Sequence, residues 1–258
     1  MSRFYLTLPS NSSMGYYPQN TVAQYTTKLN SSIELDGEWE VGLAEISFPF
    51  EIENVLEGEC YFYLYNDEEN TKKTITIPLG YYGTFDELLT RLKVAQTMEL
   101  SVTVENIPVK FTWHKRESKV RMRISRPYHV QFSPELGSLL GFSHHTNYSN
   151  IGAYISSVLR PQVRARIHSI YVYCDLVEHV PVGDTKAPLL RIVNRKSEGD
   201  ENVHETFNPV MYMPLQKKYF DSVEINMMSD TGQPVPFHSG KSFVVLEFRR
   251  ASYKYFMS

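Results

Sequence analysis

At 258 residues, with 42% hydrophobic and 21% charged side chains, the chain can bury a large core, as one large domain or two small ones. A formal charge of −3 and a pI near 6.3 exclude a bulk attraction to nucleic acid or acidic membrane, so any polyanion must be met by a local patch. Only Cys60 and Cys174 are present, which excludes a disulfide framework and predicts reduced, buried thiols, and no run approaches the roughly 18 apolar residues of a membrane span.

Residues 4–29, FYLTLPSNSSMGYYPQNTVAQYTTKL, alternate apolar and polar side chains on either side of a Ser/Asn-rich segment. The continuous apolar core of a secretory signal, about 7–15 residues, is missing, so export through a signal peptide is not expected. Nor is this the composition of a flexible tail. It predicts an amino-terminal arm or edge strand at Phe4 to Leu8, a loop around Tyr16 and Tyr17, and a main strand from Thr21 to Leu29. The next strand, Glu38 to Phe48, changes parity. Its apolar positions are first odd (Trp39, Val41, Leu43) and then even (Ala44, Ile46, Phe48), with Gly42 just before the change. Either a bulge shifts the later side chains to the other face, or the strand is buried on both sides.

Further strands are expected at Cys60 to Tyr65 and Thr74 to Ile77. After Gly80-Tyr81-Tyr82-Gly83 the segment TFDELLTRLKVAQ predicts a helix, capped by Thr84 with Glu87 closing a capping box, and carrying the apolar stripe Phe85, Leu88, Leu89, Leu92. Strands at Lys110 to Trp113 and Val120 to Ile124 follow. Ser133-Pro134 then opens a second, short helix with Leu136, Leu139 and Leu140 inward. Residues 72–146 therefore read as an α+β insertion between two β-rich flanks, 1–71 and 147–258. The second flank carries strands at Ile167 to Val177, Leu189 to Val193, Val223 to Met227 and Ser242 to Phe248. The fold class expected from the residues is all-β with two packed sheets and a small α+β insertion.

No catalytic signature emerges, and no enzyme activity, cofactor or metal site is expected. Asp230-Thr231-Gly232 matches the triplet of aspartic proteases, but a shared proton needs two such carboxylates, and a polar Gly-containing triplet between strands is the ordinary composition of a turn. His144-His145 are adjacent in a loop without metal-ligand spacing. In the run HKRESKVRMRISR, Lys119, Arg121 and Arg123 alternate with Val120, Met122 and Ile124, giving a strand with one basic face. That face reads first as a solvated surface and alternatively as a contact for a polyanion such as nucleic acid, or for an acidic neighbouring subunit.

The opening block, together with IELDGEWEVGLAEISFP, resembles the amino-terminal part of the minor capsid (penton) proteins of Polinton/Maverick elements and related adintoviruses. Further landmarks are the Gly-Tyr-Tyr before the first helix, Leu140-Gly141-Phe142, the stretch Tyr171 to Val193, the Val-Pro-Phe at 235–237 and the closing Leu-Glu-Phe-Arg-Arg. Gly15-Tyr16 departs from the pattern, where a polar residue would precede the aromatic one. The resemblance implies a single jelly-roll β-sandwich that forms a homo-pentamer at the five-fold vertices of an icosahedral shell, beside a double jelly-roll major capsid protein. It places the chain in the virion, assembled inside the host cell. It makes Phe4, Tyr5, Leu6, Leu8, Tyr16 and Tyr17 a candidate assembly arm, while Lys119, Arg121 and Arg123 stand as the candidate polyanion or subunit contact on their charge alternation alone. A β-sandwich binding module for a receptor or glycan is the competing reading.

Overall fold

Arg3–Pro9 forms the first strand, β1, because Phe4, Leu6 and Leu8 all fall on one face of an extended segment and Leu8 is fully buried there. The second strand, β2 (Gln24–Glu34), starts late because Thr21 closes a turn, taking the Gln24 N–H on its hydroxyl at 3.0 Å. The third, β3 (Trp39–Phe48), completes the amino-terminal flank. These strands come from a computed structural model that describes residues 3–150, 152–163, 167–195 and 202–251. The chain divides into two compact units, residues 1–52 with 167–258, and residues 53–166.

The unit 53–166 contains β4 (Tyr61–Asn66), β5 (Thr71–Thr76), α1 (Phe85–Leu100), β6 (Val109–His114), β7 (Lys119–Ile124), β8 (Tyr128–Phe132), α2 (Pro134–Leu140), β9 (Tyr148–Ser149) and β10 (Ile155–Ser156). Two sheets result, ordered β5-β4-β8-β9 and β10-β7-β6. Their inner faces and both helices share one core that includes Phe62, Leu92, Phe111, Phe132 and Leu140. The unit begins and ends outside the expected 72–146. The reason is register: β4 pairs antiparallel with both β5 and β8, which ties residues 61–76 to this unit and not to the amino-terminal flank.

Both helices start as their sequences require. The Glu87 N–H reaches the Thr84 hydroxyl at 3.2 Å, and the Glu87 carboxylate accepts the Thr84 and Gly83 N–H groups at 3.3 and 2.9 Å. Ser133 caps α2 through the Leu136 N–H. One buried polar residue fastens α1 to the sheet. The Gln96 amide donates to the Val109 carbonyl at 2.9 Å and accepts the Val109 N–H at 3.1 Å, pairing both backbone groups at the start of β6. Gln96→Met keeps the volume but strands those two groups. It should lower stability by about 3 kcal/mol, read from the urea unfolding midpoint.

The chain returns to the first unit with β11 (Ser169–Cys174), the small ribbon β12 (Val180–Val182) and β13 (Thr185–Ala187), then β14 (Leu189–Asn194), β15 (Val203–Thr206), β16 (Tyr212–Pro214), β17 (Tyr219–Met228) and β18 (Phe243–Arg250). Two four-stranded runs result, β1-β18-β3-β15 and β14-β11-β17-β2, with β16 also pairing β3. Lettering the eight main strands B to I in chain order, these runs are B-I-D-G and F-E-H-C. That is the jelly-roll order, with residues 53–166 entering between D and E. The all-β, single jelly-roll expectation with an α+β insertion is met.

The parity change in β3 is a bulge. Leu246 of β18 faces Leu43 and Val245 faces Glu45, so Ala44 has no opposite number and its carbonyl takes the Phe207 N–H instead. Val41 and Leu43 before the bulge, and Ile46 and Phe48 after it, are all fully buried. Gly42 allows the 210–211 segment to close on β3, since a Cβ there would lie 2.4 Å from the Met211 carbonyl oxygen. Cys60 and Cys174 are buried thiols, and burial pushes Cys174 up to about 12. Among the described residues no helix is long and apolar enough to cross a membrane.

Candidate functional site

Of the two expectations for Phe4 to Leu8, the structure has the edge strand. Among the described residues β1 is hydrogen-bonded on one side only, to β18, in a register from Arg3 opposite Arg249 to Pro9 opposite Phe243. Phe4, Leu6 and Leu8 lie on the core side, facing Phe248, Leu246 and Val244. The Phe4 ring stacks on Phe248 at 4.7 Å and the Tyr25 hydroxyl donates to the Leu8 carbonyl at 3.1 Å. Burial of Tyr25 raises its hydroxyl well above the usual tyrosine range. Three of the six arm residues are thus engaged within the sandwich. Tyr5 is half exposed on the opposite face, next to a polar cluster in which Arg3 meets the buried Glu247 at 3.3 Å and Arg249 lies over the Tyr212 ring while pairing with Glu40.

The loop carrying Tyr16 and Tyr17 is laced to β2. Asn20 accepts the Thr26 N–H at 2.9 Å and donates to the Thr26 carbonyl at 2.9 Å, and the Ser13 hydroxyl accepts the Lys28 N–H. Tyr16 stands almost free at 74% exposure. With Tyr17 it borders an open groove of about 470 Å³, floored by Gln24 and Thr26 of β2 and Glu224 and Asn226 of β17. Farther along the same strand pair, Lys28 and Asp221 form an ion pair whose hydrogen bond raises the lysine and lowers the carboxyl. An exposed aromatic ledge over a polar, hydrogen-bonding floor can receive a protruding side chain or backbone turn of a neighbour.

The basic strand folds as its alternation requires. Val120, Met122 and Ile124 are buried, while Lys119, Arg121 and Arg123 point the other way. They are not electrostatically equivalent. Arg121 forks onto Glu117 at 2.8 and 2.9 Å and holds that carboxyl below the usual range, whereas Arg123 stands opposite Lys110 across the β6–β7 pair. Lys119, Arg121, Arg123 and Lys110 share one sheet face in the 53–166 unit. The arm residues belong to the other unit.

The remaining motifs have structural explanations. Asp230-Thr231-Gly232 makes the turn after β17, with Gly232 at φ 75°, the Gly232 N–H on the Ser229 carbonyl, and the Ser229 hydroxyl 2.8 Å from that of Thr231. His144 and His145 lie ring against ring after α2, and no group of potential metal ligands occurs among the described residues. A feature not singled out in the sequence is the row Tyr61, Tyr63, Tyr65 on the outward face of β4. The alternation YFYLY carries it, but only the sheet register shows which face is turned to solvent.

No family model and no curated protein matches the sequence. The structure is similar to that of the mavirus penton protein, seen in a crystal structure of its selenomethionine-labelled form. The TM-score is 0.53 at 10% identity, covering 97% of this chain and 100% of that one. At that identity the likeness is one of fold, and it includes the sandwich and the insertion together. Over nearly its whole length, this chain has the fold of a penton protein.

Proposed function

We propose that the chain is a structural, non-enzymatic penton protein, five copies of which close a ring at the five-fold vertices of an icosahedral shell built by a double jelly-roll major capsid protein. The observation that carries this reading is the fold likeness to a penton protein across 97% of the chain. It is supported by the resemblance of residues 4–29 and the following block to pentons of Polinton/Maverick elements and adintoviruses. A ring needs two different complementary surfaces on each copy. Tyr5 and the groove beside Tyr16 and Tyr17 supply solvent-facing ones, with Phe4, Leu6 and Leu8 acting beneath them as support. Lys119, Arg121 and Arg123 are a further subunit contact, and Arg123 is the one to favour, since Arg121 already holds Glu117.

Each contact of a ring stable in solution should bury on the order of 1,200 Å² or more. Mass photometry of the chain alone should then give particles of about 150 kDa, five times the 29.9 kDa chain, and mixing it with the matching major capsid protein should give particles with filled five-fold vertices. Monomers under both conditions, and no vertex density in particles seen by electron microscopy, would refute the proposal.

A further inference from the structure

The outward face of the β5-β4-β8-β9 sheet sets a row of tyrosines among polar side chains. Along β4 stand Tyr61, Tyr63 and Tyr65, with ring centroids 5.1 and 6.3 Å apart. The cross-strand positions on one side are Thr76, Thr74 and Lys72, and on the other Gln131 and His129, with Ser149 beyond His129. The intervening residues Phe62, Leu64, Ile75, Val130 and Phe132 point into the core and are buried. No aliphatic side chain stands among these outward positions.

The charges on this face are satisfied internally. The Lys72 ammonium sits 3.4 Å over the Tyr63 ring, and His129 stacks on Tyr65 at 4.5 Å while its Nδ1 lies 2.8 Å from the Asp67 carboxylate. What remains toward solvent is a row of part-exposed tyrosine rings, Tyr63 covered on one face by Lys72 and Tyr65 on one face by His129, flanked by hydroxyl and amide groups.

We infer that this face binds a neutral oligosaccharide. An aromatic ring presents a negative π face, and the C–H face of a pyranose is weakly positive and apolar, so the two stack. The sugar's equatorial hydroxyls then point sideways, where Thr74, Thr76 and Gln131 can exchange hydrogen bonds with them. A tyrosine on every second residue repeats along the strand with a spacing comparable to the advance of a sugar chain per linkage. A protein partner fits less well, because a stable protein interface is built on a desolvated apolar core with a polar rim. Here polar groups interleave the rings throughout. Lys72 already shows that the Tyr63 face attracts positive character. A bound sugar replaces that ammonium, which swings aside on its exposed stem.

The test uses the full-length chain and a panel of neutral oligosaccharides: cellohexaose, xylohexaose, chitohexaose, mannohexaose and galactohexaose. Saturation-transfer NMR and titration calorimetry should detect at least one at millimolar affinity or better. Tyr63→Ala and Tyr65→Ala should each weaken it about tenfold with the thermal transition unchanged. Lys72→Ala uncovers Tyr63 and should bind at least as tightly. If the alanine variants unfold, Tyr63→Thr, suited to a strand position, serves as the second variant and should show the same loss. Binding by no member of the panel overturns the inference, as does binding indifferent to the tyrosine changes. Loss of binding in Lys72→Ala would mean that the ammonium, and not the Tyr63 ring beneath it, holds the sugar, and would overturn it too. A tyrosine variant that alters the sedimentation of the protein instead would make this face a contact between copies and overturn it likewise.

Discussion

Deletion of Arg3–Pro9 is expected to unfold the sandwich, not merely to block assembly. Leu8 is about 1% exposed, and full burial of a leucine stabilises by about 1.5–3 kcal/mol; Phe4 and Leu6, half-buried on the same face, add a comparable amount together. The sum, on the order of 5 kcal/mol before any hydrogen bonds, is close to the whole stability of a typical domain, about 5–15 kcal/mol. The deletion also bares Val244, Leu246 and Phe248 along the new edge of β18, an apolar strand edge of the kind that aggregates. Circular dichroism and urea titration of the truncated chain should show no cooperative sandwich transition, and a wild-type melting curve would remove β1 from the structural account. Tyr5→Ala and Tyr16→Ala are the complementary changes. Their rings are 52% and 74% exposed, so each should shift stability by no more than about 0.5 kcal/mol and report on assembly alone.

The contrast also shows how far the sequence could be read. Phe4, Leu6 and Leu8 declare an alternating strand, but nothing local says that it pairs with residues 243–249, at the other end of the chain. An arm and an edge strand therefore look alike in sequence. Elements whose evidence is local were legible: the capping box of Thr84 and Glu87, the Ser133-Pro134 start of α2, and the odd-to-even switch that proved to be a bulge at Ala44. Elements that depend on a distant partner were not. β2 runs past the polar residues Asn30, Ser31 and Ser32 because β17 pairs with it on both sides of them, Ser222 opposite Lys28 and Phe220 opposite Ile33, with a shift of register between. β15 and β16 are short and individually unremarkable in composition, and they exist as strands because β3 offers them its free edge. The same limit moved the unit boundary, since only the pairing of β4 with β8 removes residues 61–76 from the sandwich. For the candidate site, alternation was enough to orient Lys119, Arg121 and Arg123. The Glu117 fork that sets Arg121 apart required side-chain geometry.

One landmark of the resemblance, Leu140-Gly141-Phe142, has a physical cause that a matched pair of substitutions isolates. Gly141 and Gly152 share a left-handed φ of 78°, so an alanine at either site carries the same backbone strain, about 1–2 kcal/mol. They differ in their surroundings. A Cβ on Gly152 meets nothing within 4 Å, whereas one on Gly141 would lie 2.4 Å from the Leu159 carbonyl oxygen and 3.1 Å from both Pro161 and Ser157. That backbone cannot withdraw cheaply, because the Val158 and Leu159 N–H groups both bond to the Gly141 carbonyl at 3.1 Å and the Gln162 N–H bonds to Leu139. Overpacking against a fixed main chain adds about 1–3 kcal/mol. Gly141→Ala should therefore cost about 3–4 kcal/mol and Gly152→Ala about 1–2 kcal/mol, measured as shifts in urea midpoint at unchanged slope. The flanking residues explain the rest of the triplet: Leu140 is fully buried at the end of α2, and Phe142 stacks on Phe132 at 5.3 Å. Equal losses at the two glycines would mean that the 157–161 segment yields to the new methyl group, and the triplet would then reflect the turn alone.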